Sequence, residues 1–206
     1  MPKPVLVGIG GGSASGKTTI TAVLRETLEA AGHTVGVVAC DTHMFRDIER
    51  GPALVLEATG ERMFDCNRPE SVDWDAALAE IDERVAEDPD IVLVEGMMVL
   101  LIDAVRERLD LRLFVELDAD ERALRRLIRD LANPRGLPDP EQIAGYYRQS
   151  ARGGHYHFVE PSRVHADLIL RGDAPAERLL PLLQAGIEQL LSRQPALGTV
   201  GGDGRE

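Results

Sequence analysis

The residues Gly10-Gly11-Gly12-Ser13-Ala14-Ser15-Gly16-Lys17-Thr18-Thr19 carry the most legible chemistry in the chain. From Gly11 to Thr18 they fit G-x-x-x-x-G-K-[ST], a phosphate-binding pattern. Its glycines allow positive φ and let backbone N–H groups close round a phosphate. In that pattern Lys17 reaches the outer phosphates and the Thr18 hydroxyl ligates Mg2+. The flanks are the ones such a loop needs. Val5-Leu6-Val7-Gly8-Ile9 reads as a buried strand, and Ile20, Val23, Leu24, Thr27, Leu28 and Ala31 recur at helical spacing. A helix N-terminus behind a glycine turn is an anion site, because unpaired N–H groups and the helix dipole act together there. The loop from Gly11 to Thr19 therefore predicts a bound nucleoside triphosphate. A chance lysine in a glycine turn would lack both flanks.

Three further groups of residues are placed for chemistry. Asp41 follows the β-branched run Thr34–Ala39, where a carboxylate could take a proton from an attacking hydroxyl or hold a Mg2+ water. Alternatively it caps a helix starting at Thr42. Glu95 ends the apolar run Ile91–Val94, a costly place for an acid unless it meets a cation or donors. It reads as the acid that orients Mg2+, or as the cap of the next helix. Arg122, Arg125, Arg126 and Arg129 share one broad helical face leading to Arg135. They could neutralise a transferring phosphoryl group, or pair with Asp118, Asp120, Glu121 and Asp130. His155 and His157 stand two apart with no nearby third ligand, which fits packing or loop hydrogen bonding better than a metal site. Tyr146 and Tyr147 could stack on a substrate ring or belong to the core, and Trp74 lies on an apolar face.

The elements that must position these groups alternate along the chain. Leu111–Leu117 and Asp167–Leu170 are two more continuous apolar runs, suited to strands covered on both faces. Trp74, Leu78, Ile81 and Val85 give one helical face, entered through Ser71 or Asp73. Leu124, Leu127, Ile128 and Leu131 give another, and Leu179, Leu182, Leu183, Ile187 and Leu190 a last one. The pattern predicts an α/β fold, a doubly wound and mostly parallel sheet with helices on both faces. Residues 1–193 read as one domain whose short arginine-rich lid spans about 122–140. Residues 42–71 read as a connection of mixed helical and loop character, and 194–206, rich in glycine, read as a disordered tail.

The chain has 206 residues and a formal net charge of −12, which excludes a nucleic-acid partner because a phosphate backbone needs a basic face. No apolar run approaches the roughly 20 residues that span a bilayer. The start Met1-Pro2-Lys3-Pro4 leads straight into a strand, and Cys40 and Cys66 support neither a disulfide framework nor a zinc site. A cytoplasmic protein without a membrane partner is expected.

In several blocks the sequence resembles the uridine kinase-like and phosphoribulokinase group of P-loop kinases. Cys40-Asp41-Thr42-His43-Met44-Phe45-Arg46 resembles the D-x-F-Y-R block, Val94-Glu95-Gly96 the strand-end E-G, and Asp118–Asp130 the lid helix D-A-D-x-R…R-R-x-x-R-D. Phe158-Val159-Glu160-Pro161-Ser162, then Ala166-Asp167, resembles a bacterial uridine kinase segment. The resemblance implies the P-loop NTPase fold, ATP and Mg2+ as cofactors, and a small-molecule hydroxyl acceptor activated by Asp41. It implies that Lys17 and Thr18 handle ATP and Mg2+. Arg126 matches an arginine touching acceptor and phosphate, Arg129 and Arg135 match lid phosphate contacts, and Arg46 falls in the acceptor block. Glu70 stands where an aspartate binds ribose hydroxyls, with Cys66-Asn67-Arg68 as additional residues beside it. Leu137 replaces a lid arginine, and Tyr146 replaces a glutamine on the acceptor side. Only about one helix, Trp74–Glu87, separates Asp73 from Ile91, where uridine kinases carry a pyrimidine-contacting segment. Members are often oligomeric, so a homo-oligomer is among the partners implied.

The expected activity is ATP-dependent transfer of a phosphoryl group to a nucleoside or sugar-like acceptor. The alternative is an ATP-binding regulatory or assembly module, which has no need for both Asp41 and an arginine-rich lid. No N-K-x-D guanine-reading motif occurs.

Overall fold

A computed structural model describes residues 3–57, 59–132 and 139–193. Arg135, Leu137 and the tail 194–206 lie outside the described residues. In chain order come β1 (Val5–Gly11), α1 (Lys17–Ala30), β2 (Val35–Ala39), β3 (Ala53–Val55), β4 (Arg62–Phe64) and α2 (Trp74–Ala86). They are followed by β5 (Ile91–Glu95), α3 (Asp103–Arg106), β6 (Leu111–Glu116) and α4 (Ala119–Ala132). A helical run then contains α5 (Pro140–Tyr146), α6 (Arg152–Gly154) and α7 (Glu160–Ser162), with π-helical joints at Tyr147–Ala151 and His155–Val159. It leads to β7 (Leu168–Arg171) and α8 (Ala176–Arg193).

Five strands form one parallel sheet in the order β2-β5-β1-β6-β7. The central strands β1 and β5 are buried at every position, which explains their unbroken apolar runs. One sheet face packs Val5, Val7 and Ile9 against Ile20, Leu24 and Leu28 of α1 and Leu183 and Ile187 of α8. The other packs Leu6, Val92 and Val94 against Ala77 and Ile81 of α2, residues 97–100 and Val159. Leu24 and Leu28 are fully buried, so truncating either to Ala would cost roughly 2–5 kcal/mol. The start of α2 is capped as its sequence suggests, with Asp73 Oδ1 accepting from the Ala76 N–H at 3.0 Å.

Register is what assembles the site. Ile9 of β1 and Ala39 of β2 are both level with Glu95, the last residue of β5. The phosphate loop, Asp41 and Glu95 therefore leave the sheet at one carboxyl edge, the ligand-binding edge of such folds.

Three expectations are corrected. Residues 42–71 contain the antiparallel hairpin β3–β4, besides short 3-10 turns at Cys40–His43 and Pro69–Ser71. Leu182 of α8 is exposed, and Leu180 and Leu191 supply partly buried contacts instead. Most consequentially, α4 is turned over. Leu124, Ile128 and Leu131 face solvent, while Arg122, Arg126 and Asp130 are buried. Only Leu127 of that apolar set packs inward, against the small cluster of Leu56, Ile143 and Tyr146. The guanidinium face is the one that finds partners at the sheet edge, and this outweighs burial of the leucines.

Candidate active site

The phosphate loop has the backbone that its glycines permit. Gly11 has φ +137°, Gly16 +102° and Ala14 +63°. The turn is closed by the Ser15 N–H on the Gly12 carbonyl at 3.1 Å, and α1 starts with the Ile20 N–H on Gly16 at 2.9 Å. Lys17 is buried, and its Nζ donates to the Gly12 carbonyl at 3.0 Å. Burial pulls this ammonium below its ordinary pKa, while the charges of Asp41 and Glu95 push it back up. Two features fit an anion here. The Lys17 charge is desolvated, and the Ser15 hydroxyl is buried without a hydrogen-bond partner among the described residues. A Cβ on Gly12 would come within 2.9 Å of Arg122 Nη1 and 3.0 Å of His155 Nδ1.

Thr18 Oγ1 donates to Glu95 Oε1 at 3.1 Å, so the two groups expected at a metal already touch. Burial raises the Glu95 carboxyl above its usual range, with the Lys17 charge opposing. Asp41 lies in the 3-10 turn after β2, and its Oδ1 accepts the Met97 N–H at 3.1 Å. It sits against Gly96, where a Cβ would be 3.2 Å from that oxygen. Asp41 thus caps the backbone after Glu95 rather than a helix at Thr42, and one carboxylate oxygen is left for other partners.

The four arginines of α4 divide. Arg125 pairs with Glu121 at 2.8 Å and donates to the Gly172 carbonyl at 3.3 Å, the solvated-pair alternative. Arg122 donates to the Leu117 carbonyl at 3.0 Å and lies over Gly12. Arg129 Nε bonds Asp130 at 2.9 Å and its Nη1 reaches Ser13 Oγ at 3.5 Å. Arg126 shares Asp130 at 3.4 Å, has Asn67 Oδ1 3.5 Å from its Nη1, and stands 5.4 Å over the Tyr146 ring. A single buried carboxylate therefore holds two guanidiniums toward the loop.

Sequence reasoning missed the layer behind Arg126. Asp65 and Asn67 are buried, and Asp65 accepts from the Ser150 hydroxyl and, at 3.1 Å, from the Asn67 N–H. Asn67 Nδ2 donates to Ser150 Oγ at 2.7 Å and to Tyr146 Oη at 3.2 Å. The Tyr146 hydroxyl donates to the Phe64 carbonyl at 3.0 Å, and its ring belongs to the core. Tyr146 thus backs Arg126 from inside the protein. The sequence signals were Phe64-Asp65, which loosely resembles the F-D of the family's ribose-binding block, Tyr146, and the additional Cys66-Asn67-Arg68 beside Glu70. Glu70 itself and Arg46 are exposed, and neither makes a hydrogen bond or ion pair among the described residues. Ser13, Asn67, Met97, Arg122, Arg126 and His155 line a narrow cleft. No helix among the described residues is long and apolar enough to cross a membrane.

A parallel sheet with a phosphate loop after β1, a strand-end acid and a helix of inward arginines defines the class of P-loop phosphotransferases. The model of the phosphoribulokinase / uridine kinase family matches residues 76–174. A uridine kinase of Staphylococcus epidermidis is 30% identical over 94% of this chain and 100% of its own length. One from Deinococcus deserti is 31% identical over 90% of this chain and 96% of its own. The chain belongs to the phosphoribulokinase / uridine kinase family and is a phosphotransferase with a hydroxyl group as acceptor. Among solved structures, a kinase of Silicibacter sp. TM1040 provisionally named for a fructose transport system matches with TM-score 0.60 at 19% identity, over 82% of this chain and 90% of that one. Shikimate kinase of Acinetobacter baumannii matches with TM-score 0.50 at 20% identity, over 92% and 93%. Both likenesses establish the shared fold.

Proposed function

We propose that this kinase uses ATP and Mg2+ to phosphorylate a hydroxyl of a nucleoside or sugar-like polyol. The observation that carries the reading is the meeting of buried Lys17, Thr18–Glu95 and Asp41 at one sheet edge, opposite the inward arginines of α4. The acceptor oxygen attacks the γ-phosphorus in line. A new O–P bond forms, the bond from that phosphorus to the ADP oxygen breaks, and the hydroxyl proton passes to Asp41. Asp41 is suited to this because its backbone bond to Met97 fixes one oxygen and leaves the other available. Lys17, Arg122, Arg126 and Arg129 stabilise negative charge on the transferring group and the leaving oxygen. Thr18 and Glu95, with Asp41 nearby, would hold Mg2+, which would supply further charge neutralisation when bound with the nucleotide. Arg135 is proposed as a lid phosphate contact, and residues 194–206 as a tail outside the catalytic domain.

The acceptor side is compact. Helix α2 alone spans the interval from Asp73 to β5, and the cleft wall is built from Asn67, Met97 and His155. This favours a small acceptor, and the Asp65–Asn67–Ser150 network behind the cleft buttresses Arg126. ADP release measured with and without nucleosides, pentoses, pentose phosphates and vitamin-like alcohols tests the reading. An acceptor that raises release well above the water background is expected. A panel in which none does would return the chain to the regulatory alternative.

A further inference from the structure

Strand β7 is an unprotected edge of the parallel sheet. On one side it pairs with β6, and on the other it pairs with no strand among the described residues. Three of its four positions are exposed, with Leu168 at 46% and Ile169 at 45%. The opposite edge strand, β2, has no exposed position. Proteins commonly keep an open edge from pairing with lysine or proline. Leu168–Arg171 contains neither, and its one charge stands at the end.

The backbone shows which groups the edge offers. The Gly172 N–H donates inward to the Glu116 carbonyl at 2.8 Å. Alternation along the strand turns Leu170 and Leu168 the same way, and Ile169 and Arg171 outward. The Arg171 carbonyl accepts the Ala174 N–H at 3.1 Å, and the Asp167 N–H goes to the Arg112 carbonyl at 2.8 Å. Left for a partner are both polar groups of Ile169, the Arg171 N–H and the Asp167 carbonyl. Asp167-Leu168-Ile169-Leu170-Arg171 is complementary to itself. Run antiparallel about Ile169, it sets Asp167 opposite Arg171, Leu168 opposite Leu170, and Ile169 opposite its own copy. Asp167, Ile169 and Arg171 project from one face, so acid and base meet directly. An axis moved one residue either way sets one of the two charges against Ile169 instead. The Arg171 side chain is 74% exposed and bonded to Asp173, so it is free to reach a second carboxylate.

We propose that β7 is a self-association edge, on which a second copy of this chain lays its own β7 antiparallel about Ile169 and continues the sheet across a two-fold axis. Each Ile169 N–H donates to the Ile169 carbonyl of the other copy, and each Arg171 N–H to the other Asp167 carbonyl. The two Asp167–Arg171 pairs flank the apolar centre and fix the register.

Two experiments on the full chain test it. Sedimentation equilibrium at micromolar concentrations should show a dimer of the wild type. Ile169→Lys sets two ammonium groups against each other on the axis, and Arg171→Asp sets acid against acid. Each should raise the dimer Kd about tenfold. Circular dichroism checks that the fold is kept, and Arg171→Asp, at an exposed side chain, decides if Ile169→Lys fails to fold. Register is read by oxidation. Ile169→Cys should form a disulfide-linked dimer, because a hydrogen-bonded antiparallel pair holds its Cα atoms about 5.5 Å apart. Leu168→Cys, which faces Leu170 across the pair, should not, and the wild type with Cys40 and Cys66 sets the background. A wild type monomeric throughout overturns the inference. So does a dimer unmoved by Arg171→Asp, or cross-linking that is no greater through Ile169→Cys than through Leu168→Cys.

Discussion

Replacing Asp41 by Asn separates its structural role from its chemical one. The structural role is a single accepted hydrogen bond, Met97 N–H to Oδ1 at 3.1 Å, which an amide oxygen can also accept. Stability should therefore change by no more than about 1 kcal/mol. Removing a negative charge also relieves the buried Glu95 carboxyl, which Asp41 helps to push up, so the change can be of either sign. The chemical role is acceptance of the hydroxyl proton, worth about 10²–10⁴ in rate, or roughly 3–5 kcal/mol of barrier. Nucleotide binding should hold or tighten, because a carboxylate next to Lys17 opposes an anion. The assay is kcat at saturating ATP and acceptor, set beside nucleotide Kd by calorimetry and Tm by circular dichroism. A kcat within about threefold of wild type would remove Asp41 as the base, the expected loss being at least tenfold larger. A kcat that fell only together with Tm and nucleotide affinity would make it structural.

Lys17→Met should abolish turnover, about 10²–10³-fold or more, yet keep or raise Tm, because it removes an ammonium whose burial already lowers its pKa. Paired rate and melting measurements check this, and a large drop in Tm would contradict it. Gly154→Ala sets a methyl 2.4 Å from the Asn67 carbonyl oxygen and 2.6 Å from its Cβ, so α6 must lift. A loss of about 1–3 kcal/mol is expected, with a raised acceptor KM and unchanged nucleotide Kd. His155 gives a pH signature. Its folded pKa of about 4 lies below the ordinary 6.5, so between those values the unfolded chain binds more protons and stability rises with pH. Denaturation at pH 4 to 7 should show that slope in the wild type and a shallower one in His155→Asn, with Arg122, Lys17 and Glu160 as the charges facing the ring. Equal slopes would refute it.

The phosphate loop, Asp41 and Glu95 were legible because each is written locally, as glycine spacing or as an acid at the end of an apolar run. Parallel register then brings them together, Glu95 level with Ile9 and Ala39. Helix α4 misled for a physical reason. Its leucines and its arginines both repeat at helical spacing, and periodicity identifies two faces without saying which is inward. Asp130 and the carbonyl of Leu117 supply partners for the guanidiniums, and Leu124 and Ile128 are left in solvent. The Asp65–Asn67–Ser150 network was not legible, since its members meet only through the π-helical joint at Tyr147–Ala151 and the close approach allowed by Gly154. The hairpin β3–β4 escaped because strands of three residues are too short to show a period.

Transfer of a labelled γ-phosphoryl group from ATP to a polyol, followed by mass spectrometry of the acceptor, bears most directly on the assignment of Lys17, Asp41 and the α4 arginines to one reaction. Label should appear on an acceptor hydroxyl with the wild type and vanish with Lys17→Met and Asp41→Asn. Label released only as free phosphate, or transfer that survives both substitutions, would contradict the account.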